Sequence, residues 1–301
     1  MEHVASVMKK KIFPPLYEAS KSAFVEKILP TSQVQYGYQG DRYITVGSGE
    51  FGEVLYGKMK SSGKLVAIKA LKRDKSDMYA LLQEAFLLQI ASTTGYAAHY
   101  RGLASFCALG GAYLEWAIVC DFVGSSSGPD PYDFRQTLKQ AHNAPKTIQL
   151  ILDWVLTCSK IAFAVKQFHA MDMLLNDIKA DNILLRPSGT GSYDPVFVDF
   201  GLASIGEGIT LALEVNDSNR AKILKEYSHI APEVLFGGET NVLSDMFSLG
   251  KALSLVSEAF PLEPLVNIIS RCTLWNVDQR PSIDELIDSL HWVSNNMLLK
   301  A

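Results

Sequence analysis

The chain has 301 residues, of which 48% are hydrophobic and 20% are charged, and its formal net charge is −4. This composition predicts a globular protein and excludes an intrinsically disordered one. The slightly negative balance gives no reason to expect sequence-independent binding of nucleic acid. The four cysteines are scattered without a CxxC spacing, which favours free thiols in a reducing compartment over a disulfide framework or a metal site.

The apolar segments favour a protein that is neither exported nor inserted in a membrane. Lysines at positions 9 to 11 precede no apolar core, so the N-terminus does not resemble a signal peptide. The stretch from Thr147 to Leu175 is apolar, but Asp153, Lys160 and Lys166 interrupt it, which favours a buried helix over a membrane span. We therefore expect an intracellular protein, cytoplasmic or nuclear, with neither nucleic acid nor membrane among its partners.

The N-terminal half, after a first segment of about 40 residues, is predicted to contain mainly strands and one helix. Alternation over Tyr43–Val46 stops at a glycine cluster and resumes from Val54, the pattern of a hairpin. Apolar residues at helical spacing predict an amphipathic helix over Ser76–Ala91. Three further strands are predicted, at Leu65–Leu71, near Gly102–Cys107 and at Trp116–Phe122.

The C-terminal half is predicted to be helical, beyond a linker-like cluster at Ser125–Asp130. The predicted helices are Pro131–Ala141, Thr147–Met171, Ser244–Phe260, Leu265–Cys272 and Ile283–Asn296.

A glycine-rich segment, G-S-G-E-F-G-E-V over Gly47–Val54, lies between two predicted strands. Glycines let backbone amides approach phosphate oxygens without obstruction, and they allow positive φ at a turn. The same spacing between a strand and a helix would indicate a dinucleotide site, but here the chain continues as a strand. A plain glycine-rich hairpin is the remaining alternative.

Lys69 follows Val-Ala-Ile on an otherwise apolar strand. A lysine that points into a cleft needs an acidic partner, because burial of an unpaired charge is costly. Glu84 on the following helix is the predicted partner. Glu53 is nearer in sequence, but it alternates with Val54 and is expected to face outward. The alternative is an ordinary surface lysine.

The segment N-D-I-K-A-D-N, over Asn176–Asn182, is followed by Asp199-Phe-Gly. Acidic, lysine and asparagine side chains at this spacing suit a site that holds metal-bound triphosphate beside a nucleophile. We assign Asp177 as the base or orienting group and Lys179 as a phosphate clamp. Asn182 and Asp199 are assigned as magnesium ligands.

Three groups farther along the chain have predicted scaffold roles. Glu233, in Ala-Pro-Glu, is expected to form an ion pair with Arg280. Asp245, near the start of an apolar helix, is expected to accept backbone amides from the segment that contains Asp177. Each of these groups could also be an ordinary surface charge.

Taken in order, these motifs resemble the eukaryotic protein kinase family, over about Arg42 to Asn296. The resemblance implies a bilobal α+β fold with a strand-rich N-lobe and a helical C-lobe, and Mg-ATP and a protein as ligands. It implies an N-terminal extension at 1–40, an N-lobe at 41–122, a hinge at 123–128 and a C-lobe at 129–298. The implied catalytic residues are Asp177, Lys179, Lys69 and Glu84, and the implied metal ligands are Asn182 and Asp199. The implied ATP-binding residues are Gly47, Ser48, Gly49, Glu50, Phe51, Gly52, Val54, Ala67, Lys69, Cys120 (as gatekeeper), Asp121, Val123 and Leu184.

The chain departs from this family at two places. Leu175-Asn176 stands where the family usually has His-Arg before the catalytic aspartate. Asn176 cannot supply the cation that meets a phosphate on the activation loop, so we expect activity without loop phosphorylation. The family also places a threonine five residues before the alanine of Ala-Pro-Glu. That position is Glu226 here. Either the loop is shifted so that Ser228, two residues later, takes the role of the threonine, or the substrate platform is unusual.

Three functions are compatible with these motifs. An active serine/threonine kinase is favoured by Lys179, two residues after the catalytic aspartate, which tyrosine kinases usually lack. A pseudokinase would be indicated by loss of Lys69, Asp177, Asn182 or Asp199, and all four are present. A phosphotransferase acting on a small molecule or lipid is disfavoured, because Ala-Pro-Glu and Arg280 belong to the arrangement that presents protein substrates.

Overall fold

The computed structural model describes residues 27–49, 52–71, 78–107, 114–211, 215–216 and 218–299. The chain divides into two compact units. The first comprises residues 1–131 with 199–201, and the second comprises residues 132–198 with 202–301. Glu50 and Phe51, both predicted ATP-binding residues, lie outside the described residues.

The described part of the first unit is a seven-stranded sheet with one α-helix. The sheet has the order β1-β8-β9-β7-β6-β2, with β5 also paired to β6, while β3 and β4 form a separate pair. In chain order the elements are β1 (Ile28–Leu29), β2 (Val34–Tyr36), β3 (Tyr38–Gln39), β4 (Arg42–Tyr43), β5 (Thr45–Ser48), β6 (Gly52–Met59), β7 (Leu65–Leu71), α1 (Met78–Ala91), β8 (Tyr100–Cys107) and β9 (Leu114–Asp121).

Alternation along the strands sets the two faces of this sheet. On β7, Val66, Ile68 and Ala70 are buried, while Ala67 and Lys69 point to the other face and are only partly buried. On the helix α1, Leu81, Leu82, Ala85 and Leu88 are buried. The core under the sheet contains Val34, Leu55, Met59, Val66, Ile68, Ala70, Ala104, Ala117 and Val119.

The segment before residue 41, predicted only as an extension, contributes two strands, β1 and β2, to the sheet. β1 pairs in parallel with β8, and the Leu103 amide donates to the Lys27 carbonyl at 2.9 Å. Gly102 permits this contact: its φ is +148°, and a Cβ there would lie 2.1 Å from the Lys27 oxygen. Two residues of pairing are too short to give a periodic signal, so the sequence did not predict β1.

The described part of the second unit is mainly helical, with two short antiparallel strand pairs. In chain order the elements are α2 (Phe134–Asn143), α3 (Ile148–His169), β10 (Met173–Leu174), β11 (Ile183–Pro187), β12 (Tyr193–Phe197), β13 (Ser204–Ile205), α4 (Arg220–Glu226), α5 (Pro232–Leu235), α6 (Val242–Ala259), α7 (Glu263–Cys272) and α8 (Ile283–Leu298). β10 pairs with β13, and β11 pairs with β12.

The helix α3 is the centre of the second unit. The Trp154 ring lies 6.1 Å from the Phe134 ring, 5.4 Å from the Tyr193 ring and 6.2 Å from the Phe260 ring, centroid to centroid. Among the described residues, α3 is the one helix long and apolar enough to cross a membrane, and 61% of its most apolar window is buried inside the protein. This burial agrees with the sequence analysis, in which the charged residues Asp153, Lys160 and Lys166 favoured a buried helix over a membrane span.

The predicted helices are present, and their ends follow from capping. Asp133 accepts a hydrogen bond from the Gln136 amide, so α2 begins at Phe134, three residues later than predicted. Asn241 and Ser244 form a capping box, so α6 begins at Val242, two residues earlier than predicted. The predicted α+β fold, strand-rich in its first part and helical in its second, is confirmed.

Candidate active site

The glycine-rich segment forms a hairpin between β5 and β6, as predicted. Gly47 lies opposite Val54, and Ser48 lies opposite Glu53. Glu53 is exposed, as expected from its alternation with the partly buried Val54.

Neither Gly47 nor Gly49 uses the positive φ that glycine allows. Gly47 is part of extended β5, and Gly49 lies just beyond it, where its amide donates to the Gly52 carbonyl at 2.9 Å. A Cβ at Gly49 would meet no described atom within 4 Å.

The predicted adenine-binding residues of the first unit share one face of the sheet with Lys69. Val54 is paired with Lys69, and Ala67 is paired with Cys120. Paired residues of antiparallel strands project to the same side, and alternation puts Ala67 and Lys69 on that side together. Burial raises the pKa of the Cys120 thiol to about 12, so this group is a neutral wall residue. Leu184, half-buried on β11, belongs to the second unit.

The predicted hinge follows β9, where Asp121 has a role that the sequence did not reveal. Its carboxylate accepts two hydrogen bonds from Arg101, at 2.6 and 3.0 Å, and forms an ion pair with Lys64 at 2.8 Å. Burial opposes ionisation, but these cations hold the pKa of Asp121 below its ordinary value. The Asp121 amide donates to the His99 carbonyl at 2.9 Å, and Val123 is buried. The backbone that leaves the sheet is thus fixed by charged contacts.

Lys69 lies between two acidic side chains of the first unit. Its ammonium donates to Glu84 Oε1 at 2.7 Å and to Asp199 Oδ1 at 2.8 Å. The predicted pair with Glu84 is therefore present, and the contact with Asp199 is additional. Gly201 packs closely beside them: a Cβ there would lie 3.3 Å from Asp199 Oδ1.

The two carboxylates stabilise the positive charge of Lys69. Burial lowers the pKa of Lys69, but Glu84 and Asp199 outweigh it and raise the pKa above its ordinary value. Burial is also the largest influence on Glu84, whose pKa is raised despite the neighbouring ammonium. The ammonium is therefore permanently charged and held in place, as a group that contacts phosphate must be.

Asp177 and its neighbours form the second cluster, within the second unit. Lys179 Nζ donates to Asp177 Oδ2 at 2.7 Å, and Asn182 Nδ2 donates to the same oxygen at 2.9 Å. Asn182 also bonds the Asp177 carbonyl, at 3.0 Å. The predicted residues of this segment thus converge on one carboxylate. Its side chain is only 14% exposed.

The remaining Asp177 oxygen is contacted by a residue that the sequence did not single out. His229 Nε2 lies 3.0 Å from Asp177 Oδ1. Burial raises the pKa of Asp177, but hydrogen bonds from His229 and Lys179 outweigh it and hold the pKa below its ordinary value. Asp177 is therefore ionised near neutral pH and can accept a proton.

Glu226 and Ser228, the two residues considered in place of the family's threonine, lie away from Asp177. Glu226 is the last residue of α4 and is exposed, and Ser228 is exposed as well. Neither donates to Asp177 among the described contacts, because the turn after α4 directs His229 to it instead. Of the alternatives that the sequence left open, Glu226 points away from the carboxylate, and Ser228 does not take the place of the threonine among the described contacts.

Asp245 supports the catalytic segment from α6, as predicted. It is 1% exposed and accepts the amides of Leu175 and Asn176, each at 2.8 Å. His169, at the end of α3, adds a third contact at 2.9 Å. A buried carboxylate needs such partners, and together they fix the backbone immediately before Asp177.

Asn176 is a structural residue in its own right. Its φ is +63°, a conformation that asparagine tolerates better than most residues. Its side-chain amide donates to the Leu202 carbonyl at 2.8 Å and to Ser204 Oγ at 3.1 Å. The residue therefore joins the segment before Asp177 to the segment around β13.

The predicted ion pair between Glu233 and Arg280 is also present. The guanidinium donates two hydrogen bonds to the carboxylate, at 2.7 and 2.8 Å. It also donates to the carbonyls of Leu274 and Leu243, at 2.8 and 2.9 Å. The Arg280 side chain is 0% exposed, and this set of partners compensates its burial.

The predicted metal ligands have the donor chemistry that magnesium prefers. Asn182 uses its amide nitrogen to bond Asp177, which leaves its carbonyl oxygen available as a ligand. Asp199 bonds Lys69 and the Gly201 amide through Oδ1 alone among its described contacts, and its side chain is 43% exposed. Amide and carboxylate oxygens suit Mg²⁺, so these residues fit the ion.

Comparison with known proteins agrees with this arrangement. The protein kinase domain family matches residues 41–267. The chain is 30% identical to the receptor-like kinase LIP2 of Arabidopsis thaliana over 217 residues, 69% of this chain and 34% of that protein. It is 27% identical to the serine/threonine-protein kinase PBS1 of the same organism, over 68% of this chain and 41% of that protein.

A third relative comes from another organism. A probable serine/threonine-protein kinase of Dictyostelium discoideum, DDB_G0271538, is 24% identical over 85% of this chain and 50% of its own length. The chain thus spans between a third and a half of the length of these three relatives. With a family match over most of its length and the motif residues clustered as described, the chain belongs to the protein kinase family.

Proposed function

We propose that the chain transfers the γ-phosphate of Mg-ATP to serine or threonine hydroxyls of proteins. The observation that carries the proposal is the Asp177 carboxylate, held ionised by Lys179 and His229 with Asn182 beside it. The names of the relatives support the serine/threonine class. So does Lys179, two residues after Asp177, by resemblance to that class. An intracellular setting, where ATP and magnesium are abundant, is part of the proposal.

In the proposed reaction the substrate hydroxyl oxygen bonds to the γ-phosphorus as the bond between that phosphorus and its bridging oxygen breaks. ADP leaves, and the hydroxyl proton passes to Asp177, the one ionised carboxylate in its cluster. Lys69 and Lys179 place positive charge against the phosphates. Magnesium, held by Asn182 and Asp199, would neutralise phosphate charge. Positioning and electrostatics supply the rate, and no covalent enzyme intermediate is required.

The proposal is tested by phosphate transfer from labelled ATP to a generic protein substrate, with magnesium and with a chelator. The modified residues are identified by mass spectrometry. Magnesium-dependent labelling of serine or threonine is the expected result. If ATP binds, as shown by a thermal shift, and no phosphate is transferred, the chain is a nucleotide-binding interaction module and the proposal fails.

We further propose that activity is independent of phosphorylation on the activation loop. Asn176 stands where the family has an arginine, and its amide is engaged by Leu202 and Ser204. A neutral amide cannot form the charge-assisted contact through which a loop phosphate acts. Phosphatase treatment is therefore expected to leave the transfer rate unchanged, within about twofold. A drop of roughly tenfold or more, reversed when the phosphatase is removed and ATP is added back, would contradict this.

Glu84→Gln tests the pair with Lys69. The change keeps the shape of the side chain but removes the negative charge opposite the Lys69 ammonium, so the hydrogen bond is weaker and the ammonium is held less firmly. Loss of a hydrogen bond to a charged group, about 1.5–3 kcal/mol, corresponds to a rate lower by roughly 10- to 100-fold. ATP binding should partly survive. Glu53→Gln, on the exposed side of the hairpin, is the matched control and should behave as the wild type.

A further inference from the structure

His229 lies in the segment between α4 and α5, next to residues that anchor it. Ile230 and Ala231 are buried, 6% and 1% exposed, in a cluster with Phe247. The Ile230 amide donates to the Tyr227 carbonyl at 2.9 Å, and this turn encloses His229. The imidazole is therefore carried by a fixed backbone, although its own side chain is 20% exposed.

The direction of the hydrogen bond between His229 and Asp177 follows from the chemistry of the two groups. An ionised carboxylate only accepts hydrogen bonds, so the Nε2 of His229 must carry a proton and donate it to Oδ1. Lys179 and Asn182 both donate to Oδ2. A carboxylate has about four acceptor positions, two on each oxygen. With these three donors in place, the position that remains for a substrate hydroxyl is on Oδ1.

Donors on both oxygens fix the plane of the carboxylate. The terminal torsion of an aspartate is broad and roughly two-fold, so contacts at Oδ2 alone would let Oδ1 swing. A displacement of about 1 Å at a reacting group can cost on the order of 100-fold in rate. The histidine therefore stands where it can hold Oδ1 toward an incoming hydroxyl.

We propose that His229 is a positioning residue for Asp177 in phosphate transfer. It makes the contact with Asp177 for which the sequence analysis considered Glu226 and Ser228, both of which are exposed. The inference rests on the proposed kinase function. In this arrangement His229 touches the base and not the phosphates, so it acts on the turnover rate and leaves the affinity for ATP alone.

The test compares His229→Ala with His229→Gln. Alanine removes the donor, and kcat is expected to fall by about 10- to 100-fold with the KM for ATP unchanged within about twofold. The glutamine amide can donate from a similar distance, so His229→Gln should recover most of the loss, which a purely structural contribution from the ring would not explain. Ser228→Ala and Glu226→Ala are the neighbouring controls and should retain the wild-type kcat. Thermal unfolding of each variant shows that it is folded.

The outcomes separate this inference from the proposed function. If the wild type transfers phosphate and His229→Ala transfers it equally well, or faster, the positioning role is overturned and the kinase function stands. If His229→Ala is slow and His229→Gln is equally slow, donation to Oδ1 is not what matters and the inference is again overturned. If the wild type transfers no phosphate while binding ATP, both proposals fail together.

Discussion

Asp177→Asn is expected to slow phosphate transfer by about 10²–10⁴-fold while leaving the fold and the binding of ATP nearly unchanged. Asparagine has the same shape, and its carbonyl oxygen can still accept from Lys179 or Asn182. It cannot take a proton from a hydroxyl, and it places no negative charge beside the ring of His229. Loss of a general base lowers rates by about 10²–10⁴-fold, which fixes the expected size of the effect. Single-turnover transfer from labelled ATP measures it.

The matched control for this variant is Asp181→Asn. Asp181 lies four residues from Asp177, but it is 55% exposed and paired with Arg135 on the surface. Its replacement should change the transfer rate by less than about twofold, since exposed ion pairs are weak. Residual activity above roughly a tenth of the wild-type rate in Asp177→Asn would show that Asp177 is not the base.

Arg280→Ala is expected to destabilise the fold more than any substitution in the Asp177 cluster. The fully buried guanidinium serves Glu233 and two backbone carbonyls, and it lies over the Phe247 ring with 5.0 Å between its central carbon and the ring centroid. Removing one partner of a buried pair typically costs about 3–5 kcal/mol, because the other charge is left uncompensated. The free energy of unfolding in urea measures the loss.

Two further variants identify the cause of that loss. Arg280→Lys keeps the charge but cannot form the two-bond contact with Glu233, so it should retain only part of the stability. Arg135→Ala breaks an exposed pair, with Arg135 53% exposed, and should cost no more than about 1 kcal/mol. If Arg280→Ala cost as little as Arg135→Ala, the buried pair would have no structural importance.

Local patterns in the sequence predicted most of the longer regular elements and two of the ion pairs. The bounds of β7 agree with the prediction at both ends, because alternation and β-branched residues are read within one strand. The pairs of Lys69 with Glu84 and of Glu233 with Arg280 were predicted because burial of charge demands a partner. The family resemblance supplied the order of the motifs.

The features that the sequence did not reveal depend on tertiary contacts. His229 was missed because the count back from Ala231 followed the position of the family's threonine, whereas the turn after α4 directs His229 to Asp177. Asn176 was read only as the loss of a cation. Its structural contacts depend on Leu202 and Ser204, which are 26 and 28 residues away in sequence, and no local pattern signals them. The roles of the ATP-binding and metal-binding residues stay predictions.

The parallel strand β1 has a consequence for the solubility of the protein. β1 is the first strand of the sheet and β8 is its neighbour. β1 therefore covers the main-chain groups of β8 around Leu103 and Ala104, which would otherwise lie at an open edge. Unpaired edges recruit strands from other molecules and promote aggregation. Cleavage after Leu29 that released β1 would leave the Leu103 amide without the Lys27 carbonyl and expose a ready site for intermolecular pairing. The two-residue strand β1 therefore keeps this part of β8 from pairing with a strand of another molecule.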